Sequence, residues 1–124
     1  MLEVGCGPGL HSETLAKSFL KGSDSVLVSC DFSRGMVKKM AARYSQSDFT
    51  RLEGNKVSID TETDYADPAN CERVNLDQII SESTPYNKLA YGCIADNMRL
   101  PFPDNCFEAY ISNLSLMLVQ DREK

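Results

Sequence analysis

The stretch Leu2-Glu3-Val4-Gly5-Cys6-Gly7-Pro8-Gly9 decides the fold of this 124-residue chain. A short, mainly apolar run enters a turn in which every second residue is glycine. Glycine adopts backbone torsions that other residues avoid, and it allows a ligand to approach the main chain closely. In folds that alternate strands with helices, nucleotide-like ligands bind at such a turn, at the carboxyl end of the first strand. The pattern predicts a strand, a ligand-binding turn and a helix, and a tight strand-to-helix connection without a ligand has the same pattern.

The residues after this turn alternate between helical and strand patterns. Apolar side chains fall on one helical face at 11–21 and again after Ser33, which is placed to cap the second helix. Apolar runs at 26–30, 89–95 and 107–112 predict three further strands. Strands that alternate with helices and end in glycine-rich turns favour a parallel sheet covered on both faces. We therefore expect an α/β fold with a Rossmann-like, doubly wound parallel sheet.

A polar, acidic segment at 45–87 separates the second predicted helix from the next strand. It is longer than the loops of compact domains, which seldom exceed about 15 residues. Within it, residues 75–80 predict one or two helical turns. The segment holds the excess of negative charge in a chain of net charge −5, which disfavours nucleic acid as a partner. We expect an insertion that protrudes from the core and contacts no ligand.

Five cysteines occur without a CxxC pair, at positions Cys6, Cys30, Cys71, Cys93 and Cys106. Their odd number and apolar neighbours favour buried free thiols over disulfides or metal ligands. Free thiols are typical of a reducing compartment, and we expect a cytoplasmic protein. No apolar stretch approaches the roughly 18 residues that a membrane span needs, so no span is predicted. The acidic residues from Asp60 onward lack the glycine and glutamate of a calcium loop, and no metal site is predicted.

Three stretches of the chain resemble successive motifs of class I S-adenosylmethionine-dependent methyltransferases of the type 11 kind. They are LEVGCGPG at 2–9, CDFSRGM at 30–36 and ADNMRLPFPDNCFEAYISNLSL at 95–116. The resemblance covers 1–44 and 90–117. A nicotinamide or flavin fingerprint requires glycine three residues after Gly7, where this chain has Leu10. An NAD-dependent oxidoreductase is therefore disfavoured.

The resemblance implies that S-adenosylmethionine binds at the carboxyl ends of the strands. It places Gly5 and Gly7 under the methionine and ribose portions of the cofactor, and Glu3 near its amino end. Asp31 matches the acidic residue that accepts hydrogen bonds from the two ribose hydroxyls, a task that suits the two oxygens of a carboxylate. A helix cap is the alternative role of Asp31. Since the sequence puts Asp31 at a solvated strand end, its replacement by alanine is expected to change stability by less than about 1 kcal/mol.

The remaining cofactor residues follow from the same motifs. Met36 matches a position that packs against the adenine face, with an ordinary core methionine as the alternative. Asp96 and Asn97 match the pair that recognises the adenine edge, although Asn97 stands where alanine is usual. Asn113 to Ser115 match the place where the methyl donor and the acceptor meet. The predicted cofactor-binding residues are Glu3, Gly5, Gly7, Gly9, Asp31, Phe32, Met36, Asp96, Asn97 and Asn113.

The resemblance implies an enzyme that transfers a methyl group from S-adenosylmethionine to a small molecule, a lipid-like quinone or a protein side chain. No catalytic residue is identified, since positioning supplies much of the acceleration of such a transfer. Asn113 is followed by Leu114-Ser115-Leu116 rather than by two prolines and an aromatic residue, which disfavours nucleobase amines as acceptors. The alternative is a catalytically silent relative that binds the cofactor or acts through partners.

The resemblance also implies that the sheet is incomplete. The chain is expected to form one methyltransferase domain, 1–124, with four strands in the order 3-2-1-4 and the later strands of the family missing. The residues 113–124 are expected to begin another helix. The fourth strand would form an open edge, which a missing C-terminal part or another chain would cover.

Overall fold

The computed structural model describes residues 1–20, 25–47, 49, 54–83 and 88–113. Within these ranges the chain forms strands, α-helices and one short 3-10 helix at Pro68–Asn70. The strands are β1 (Leu2–Val4), β2 (Ser25–Asp31), β3 (Asn55–Tyr65), β4 (Lys88–Ala95) and β5 (Tyr110–Ser112). The α-helices are α1 (Ser12–Phe19), α2 (Arg34–Ser45) and α3 (Leu76–Ser83).

All five strands lie parallel in one sheet, in the order β3-β4-β2-β1-β5. This architecture confirms the predicted Rossmann-like parallel sheet. The predicted order 3-2-1-4 corresponds to β4-β2-β1-β5, and the structure adds β3 outside β4. The last predicted strand, 107–112, is shorter than expected. Phe107 lies in the loop before it, where its ring packs edge-on against Phe102 with 5.2 Å between the centroids.

The added strand corrects the expectation that the segment 45–87 protrudes from the core. β3 pairs with β4 as far as Asp60, and the pairing resumes at Asp64. Val57 and Ile59 pack against the apolar core on one face of the sheet. The alternating side chains of Lys56, Ser58 and Asp60 are polar and half-buried, as is usual for an edge strand. The strand was not predicted because many of its side chains are polar and only every second one reaches the core.

A register shift interrupts the pairing of β3 with β4 between Asp60 and Asp64. The carboxylate of Asp60 accounts for it, because Oδ1 accepts hydrogen bonds from the main-chain N–H groups of Glu62 at 3.1 Å and Thr63 at 3.0 Å. The hydroxyl of Tyr65 donates to Oδ2 at 3.3 Å. A side chain thus satisfies amides that the strand ladder leaves unpaired at the register shift.

Two apolar clusters cover the two faces of the sheet. Leu27 and Val28 of β2 belong to different clusters, as the period of two in a strand requires. The cluster under α1 and α2 contains the buried residues Ala16, Val37, Met40 and Tyr44. The cluster on the other face contains the buried residues Val74, Ile79 and Phe102. The segment 45–87 therefore supplies core residues as well as a strand.

The helices lie close to their predicted positions. Ser33 caps α2 as predicted, since its Oγ accepts a hydrogen bond from the main-chain N–H of Met36 at 3.4 Å. α3 contains the helical turns predicted at 75–80. Of the helix expected at 113–124, only Asn113 lies within the described residues. None of the helices in the described ranges has the length and apolar character that crossing a membrane requires.

Candidate functional site

The glycine turn between β1 and α1 follows a left-handed backbone path. Gly5, Gly7 and Gly9 have φ angles of 69°, 55° and 79°, which residues with a side chain rarely adopt. The N–H of Gly9 donates to the carbonyl of Cys6 at 3.1 Å and closes the turn. The N–H of Cys6 donates to the carbonyl of Cys30 at 3.0 Å and ties the turn to β2. Glycine at these three positions is what allows the chain to make this turn.

Asp31, the last residue of β2, joins the glycine turn to the start of α2. Its Oδ2 accepts a hydrogen bond from the N–H of Gly7 at 2.9 Å. Its Oδ1 accepts one from the N–H of Ser33, also at 2.9 Å. Each oxygen keeps further acceptor capacity, since a carboxylate has about four lone-pair sites. As expected from the sequence, the turn and Asp31 lie together at the carboxyl end of the sheet.

Gly7 and Gly9 have different surroundings. A Cβ built on Gly7 would meet no described atom within 4 Å, so the space beside it is open. A Cβ built on Gly9 would lie only 2.6 Å from Cγ of Met40. Gly7 therefore borders space that a ligand can occupy, whereas Gly9 is required for the packing of α2 against the turn.

Three large apolar side chains are exposed in the loops that follow β1, β2 and β4. Leu10 is 59% exposed, Phe32 is 65% exposed and Met98 is 41% exposed. Met36, in the first turn of α2, is half-buried. Exposed apolar groups at one edge of a domain are typical of a ligand site. Phe32 and Met36 were predicted as cofactor residues. Leu10 and Met98 were not, although each is an apolar residue in a loop just after a strand end.

Asp96 and Asn97 follow β4 at the same edge. Oδ1 of Asp96 accepts a hydrogen bond from the N–H of Met98 at 2.9 Å. Oδ1 of Asn97 is buried and has no hydrogen-bond partner among the described residues. A buried acceptor without a partner destabilises a fold by about 1–3 kcal/mol. It therefore marks a position where an N–H or O–H donor from a ligand or a water molecule is favourable.

Glu3 lies inside the sheet and not at its open edge. Only 2% of its surface is exposed. The hydroxyl of Ser29, opposite Glu3 on β2, donates to its Oε2 at 2.6 Å. Ser29 was missed, although a hydroxyl in an apolar strand was a visible signal. Ser29 thus holds the carboxylate of Glu3 two residues before the glycine turn, and the place of Glu3 near the amino end of the cofactor stays a prediction.

A family model described as a methyltransferase domain matches residues 1–84. The chain belongs to this family. It is a family of class I S-adenosylmethionine-dependent methyltransferases, and membership supports a methyltransferase function. The matched residues include the glycine turn, Asp31 and β3, whereas Asp96, Asn97 and Asn113 lie beyond them. Searches of the curated proteins and of the solved structures found no match.

In this methyltransferase domain, Asn113 follows β5 and is exposed. β5 pairs with β1 so that Ser112 lies opposite Val4, which brings Asn113 to the edge where Gly5 begins the turn. Residues 114–116, which the resemblance also includes, lie outside the described residues. One edge of the sheet therefore carries the ends of β1, β2, β4 and β5 and the polar groups that follow them.

The buried thiols of the methyltransferase domain are not activated as nucleophiles. All five cysteines are free. Burial raises the pKa of Cys6, Cys30 and Cys93 well above the ordinary thiol value, and neighbouring acidic groups and thiols raise it further. These three thiols stay protonated. Cys71 is half-buried and Cys106 is exposed, so the expectation that all five are buried is wrong. Both lie outside the strands and helices, where less of the chain covers them.

The described residues provide no obvious metal site. No group of three His, Cys, Asp or Glu side chains in the described ranges is placed to hold a metal ion. The polar groups at the carboxyl edge are instead single acceptors and main-chain amides. This set suits an organic ligand that carries hydroxyl and amine donors.

Proposed function

We propose that this chain binds S-adenosylmethionine at the carboxyl edge of its sheet and serves in methyl transfer to a small-molecule acceptor. The observation that carries the proposal is the hydrogen bond from Gly7 to Asp31 beside open space. It places a carboxylate and a glycine backbone together where a ribose and a methionine chain can lie against them. The family generally binds this cofactor, which supplies an electrophilic methyl group on a sulfonium.

The residues at the edge fit the parts of the cofactor. Asp31 would accept hydrogen bonds from the ribose hydroxyls through the lone pairs that Gly7 and Ser33 leave free. Phe32 and Met98 would supply apolar walls for adenine, since aromatic rings and thioethers both pack well against a flat heterocycle. The carboxylate of Asp96 would accept from the exocyclic amine through the lone pairs that the N–H of Met98 leaves free.

The role of the chain in the transfer would be positioning. Methyl transfer is an in-line displacement, so holding the donor and the acceptor in line supplies much of the acceleration. The three buried thiols hold their protons and are not bases or nucleophiles in this scheme. Asn113, which follows β5, would lie beside the acceptor in this scheme. The free thiols favour a cytoplasmic setting for this chemistry.

Calorimetric titration tests the proposal. The full chain should bind S-adenosylhomocysteine, the product form of the cofactor, and should not bind NAD under the same conditions. Binding of NAD without binding of S-adenosylhomocysteine would overturn the proposal. A transfer assay with a labelled methyl group then separates an active enzyme from a silent relative, because the silent relative binds the cofactor but labels no acceptor.

A further inference from the structure

Helix α2 contacts the glycine turn at Pro8 and Gly9. Nε of Arg43 donates a hydrogen bond to the carbonyl of Pro8 at 3.2 Å. Met40 packs so closely on Gly9 that a Cβ there would lie 3.0 Å from the Cα of Met40 as well as 2.6 Å from its Cγ. The position of α2 therefore determines where the residues after Gly7 can lie.

The same helix rests on the added strand β3. Nη1 of Arg34 donates a hydrogen bond to the carbonyl of Thr61, and its Nη2 lies 3.8 Å from Oδ2 of Asp64. Met40 also contacts this region in the core. A Cβ built on Gly92 of β4 would lie 2.5 Å from Cε of Met40 and 2.9 Å from Cδ1 of Ile59. Both side chains therefore lie over Gly92, in the same apolar cluster, where the missing Cβ leaves them room.

We propose that β3 positions the glycine turn through α2, and that Ile59 is a positioning residue for the cofactor site. The packing that links β3 to the turn consists of Ile59 and Met40 over Gly92, and of Met40 on Gly9. Closely packed interiors transmit small displacements, because few voids absorb them. The inference rests on the proposed function for its ligand and assigns the segment 45–87 a role without any direct ligand contact.

The test replaces Ile59 by alanine in the full chain and compares it with the same change at Ile79. Ile79 is 6% exposed and lies in the cluster on the opposite face of the sheet, away from Met40. Ile59→Ala should weaken S-adenosylhomocysteine binding by about threefold to thirtyfold, the range of coupling through packed side chains. Ile79→Ala should lose more stability and keep its affinity. Equal losses of affinity in both variants would overturn the inference.

Amide hydrogen exchange without ligand provides a second readout. The N–H groups of Gly7 and Gly9 donate to Asp31 and Cys6, so their exchange reports the order of the turn. Exchange at both should be faster in Ile59→Ala than in the unchanged chain, and it should be unaltered in Ile79→Ala. If Ile59→Ala does not fold, Ile59→Val removes only the Cδ1 methyl group and serves instead. If exchange is faster in Ile59→Ala but the unchanged chain does not bind S-adenosylhomocysteine, the proposed function is wrong and β3 still positions the turn. If exchange in Ile59→Ala equals that of the unchanged chain, β3 does not position the turn.

Discussion

The main-chain N–H of Gly7 lies 2.9 Å from Oδ2 of Asp31 and donates a hydrogen bond to it, which joins the loops after β1 and β2. The other oxygen of the same carboxylate accepts from the N–H of Ser33 at the start of α2. The expectation that Asp31 is a solvated side chain on which few groups depend is therefore wrong. One carboxylate organises both the turn and the helix start, and its remaining lone pairs are the acceptors that we propose for the ribose.

Asp31→Ala should lose both stability and affinity. Two charge-assisted hydrogen bonds to a half-buried carboxylate disappear, so unfolding free energy should fall by about 1–3 kcal/mol. Affinity for S-adenosylhomocysteine should fall about tenfold to a hundredfold. Urea unfolding and calorimetry measure the two effects. Asp67→Ala is the control, because Asp67 caps the 3-10 helix with bonds to Ala69 and Asn70. The control should lose stability alone, and a loss of stability without affinity in Asp31→Ala would remove Asp31 from the site.

Phe32→Ala should lower affinity without lowering stability. Its side chain is 65% exposed and contributes little to the core, so unfolding free energy should change by less than about 0.5 kcal/mol. Stacking of a base on an aromatic ring is worth about 1–3 kcal/mol, which corresponds to a loss of tenfold or more in affinity near the middle of that range. Phe19→Ala is the matched control, since Phe19 is 56% exposed at the end of α1. Equal affinities of the two variants would exclude Phe32 from the adenine site.

The glycines should separate three effects of an added methyl group. Gly9→Ala should be strongly destabilising, since its Cβ would overlap Met40 and its φ is 79°. Gly7→Ala should lose about 1–2 kcal/mol for its left-handed backbone alone. Its new methyl group fills space proposed for the cofactor, so affinity should fall further than stability implies. Gly35→Ala, in α2 with Ser33 Oγ at an ordinary 3.6 Å, should gain up to about 1 kcal/mol. Circular dichroism melts and titrations rank the variants, and a stable Gly9→Ala would contradict this packing.

Joint replacement of Cys30 and Cys93 by alanine should reduce the loss of stability at alkaline pH. Burial raises the pKa of both thiols in the folded chain. Below the ordinary thiol pKa of 9.0, both thiols are protonated in the folded and in the unfolded chain, so their contribution to stability is complete. Above it the unfolded chain releases them first, so stability falls by about 1.4 kcal/mol per thiol and pH unit.

Urea unfolding near about pH 8 and about pH 10 measures this difference. The exposed thiol in Cys106→Ala provides the control, and that variant should retain most of the alkaline loss seen in the unchanged chain. A double variant with the same pH dependence as the unchanged chain would show that the two buried thiols do not titrate on unfolding.

Local sequence was enough to predict the elements around the site. The glycine turn needs left-handed φ angles that only its own residues permit, and Ser33 caps the helix that starts beside it. Asp31 and Phe32 were predicted through the motif that follows β2, and their places at the carboxyl edge follow from parallel pairing of neighbouring strands. Backbone torsions and helix caps depend on adjacent residues, so these features could be predicted from the sequence.

The remaining features could not be predicted, because they depend on contacts between residues that are far apart in the sequence. The sequence of β3 is typical of a polar insertion, because its core side becomes evident only when Ile59 and Met40 both lie over Gly92. The hydrogen bond of Glu3 depends on Ser29, which lies opposite it only after β1 and β2 pair.

By itself the sequence determined the alternation of strands and helices, the glycine turn and the residues at the strand ends, since these depend on neighbours along the chain. Packing between distant segments determined which of those residues face open space and which support the turn. Gly7 and Gly9 show the difference, because both have positive φ angles but only Gly9 is in contact with Met40. The physical reason is that a side chain's surroundings are set by the tertiary contacts of the whole sheet, and no local pattern contains them.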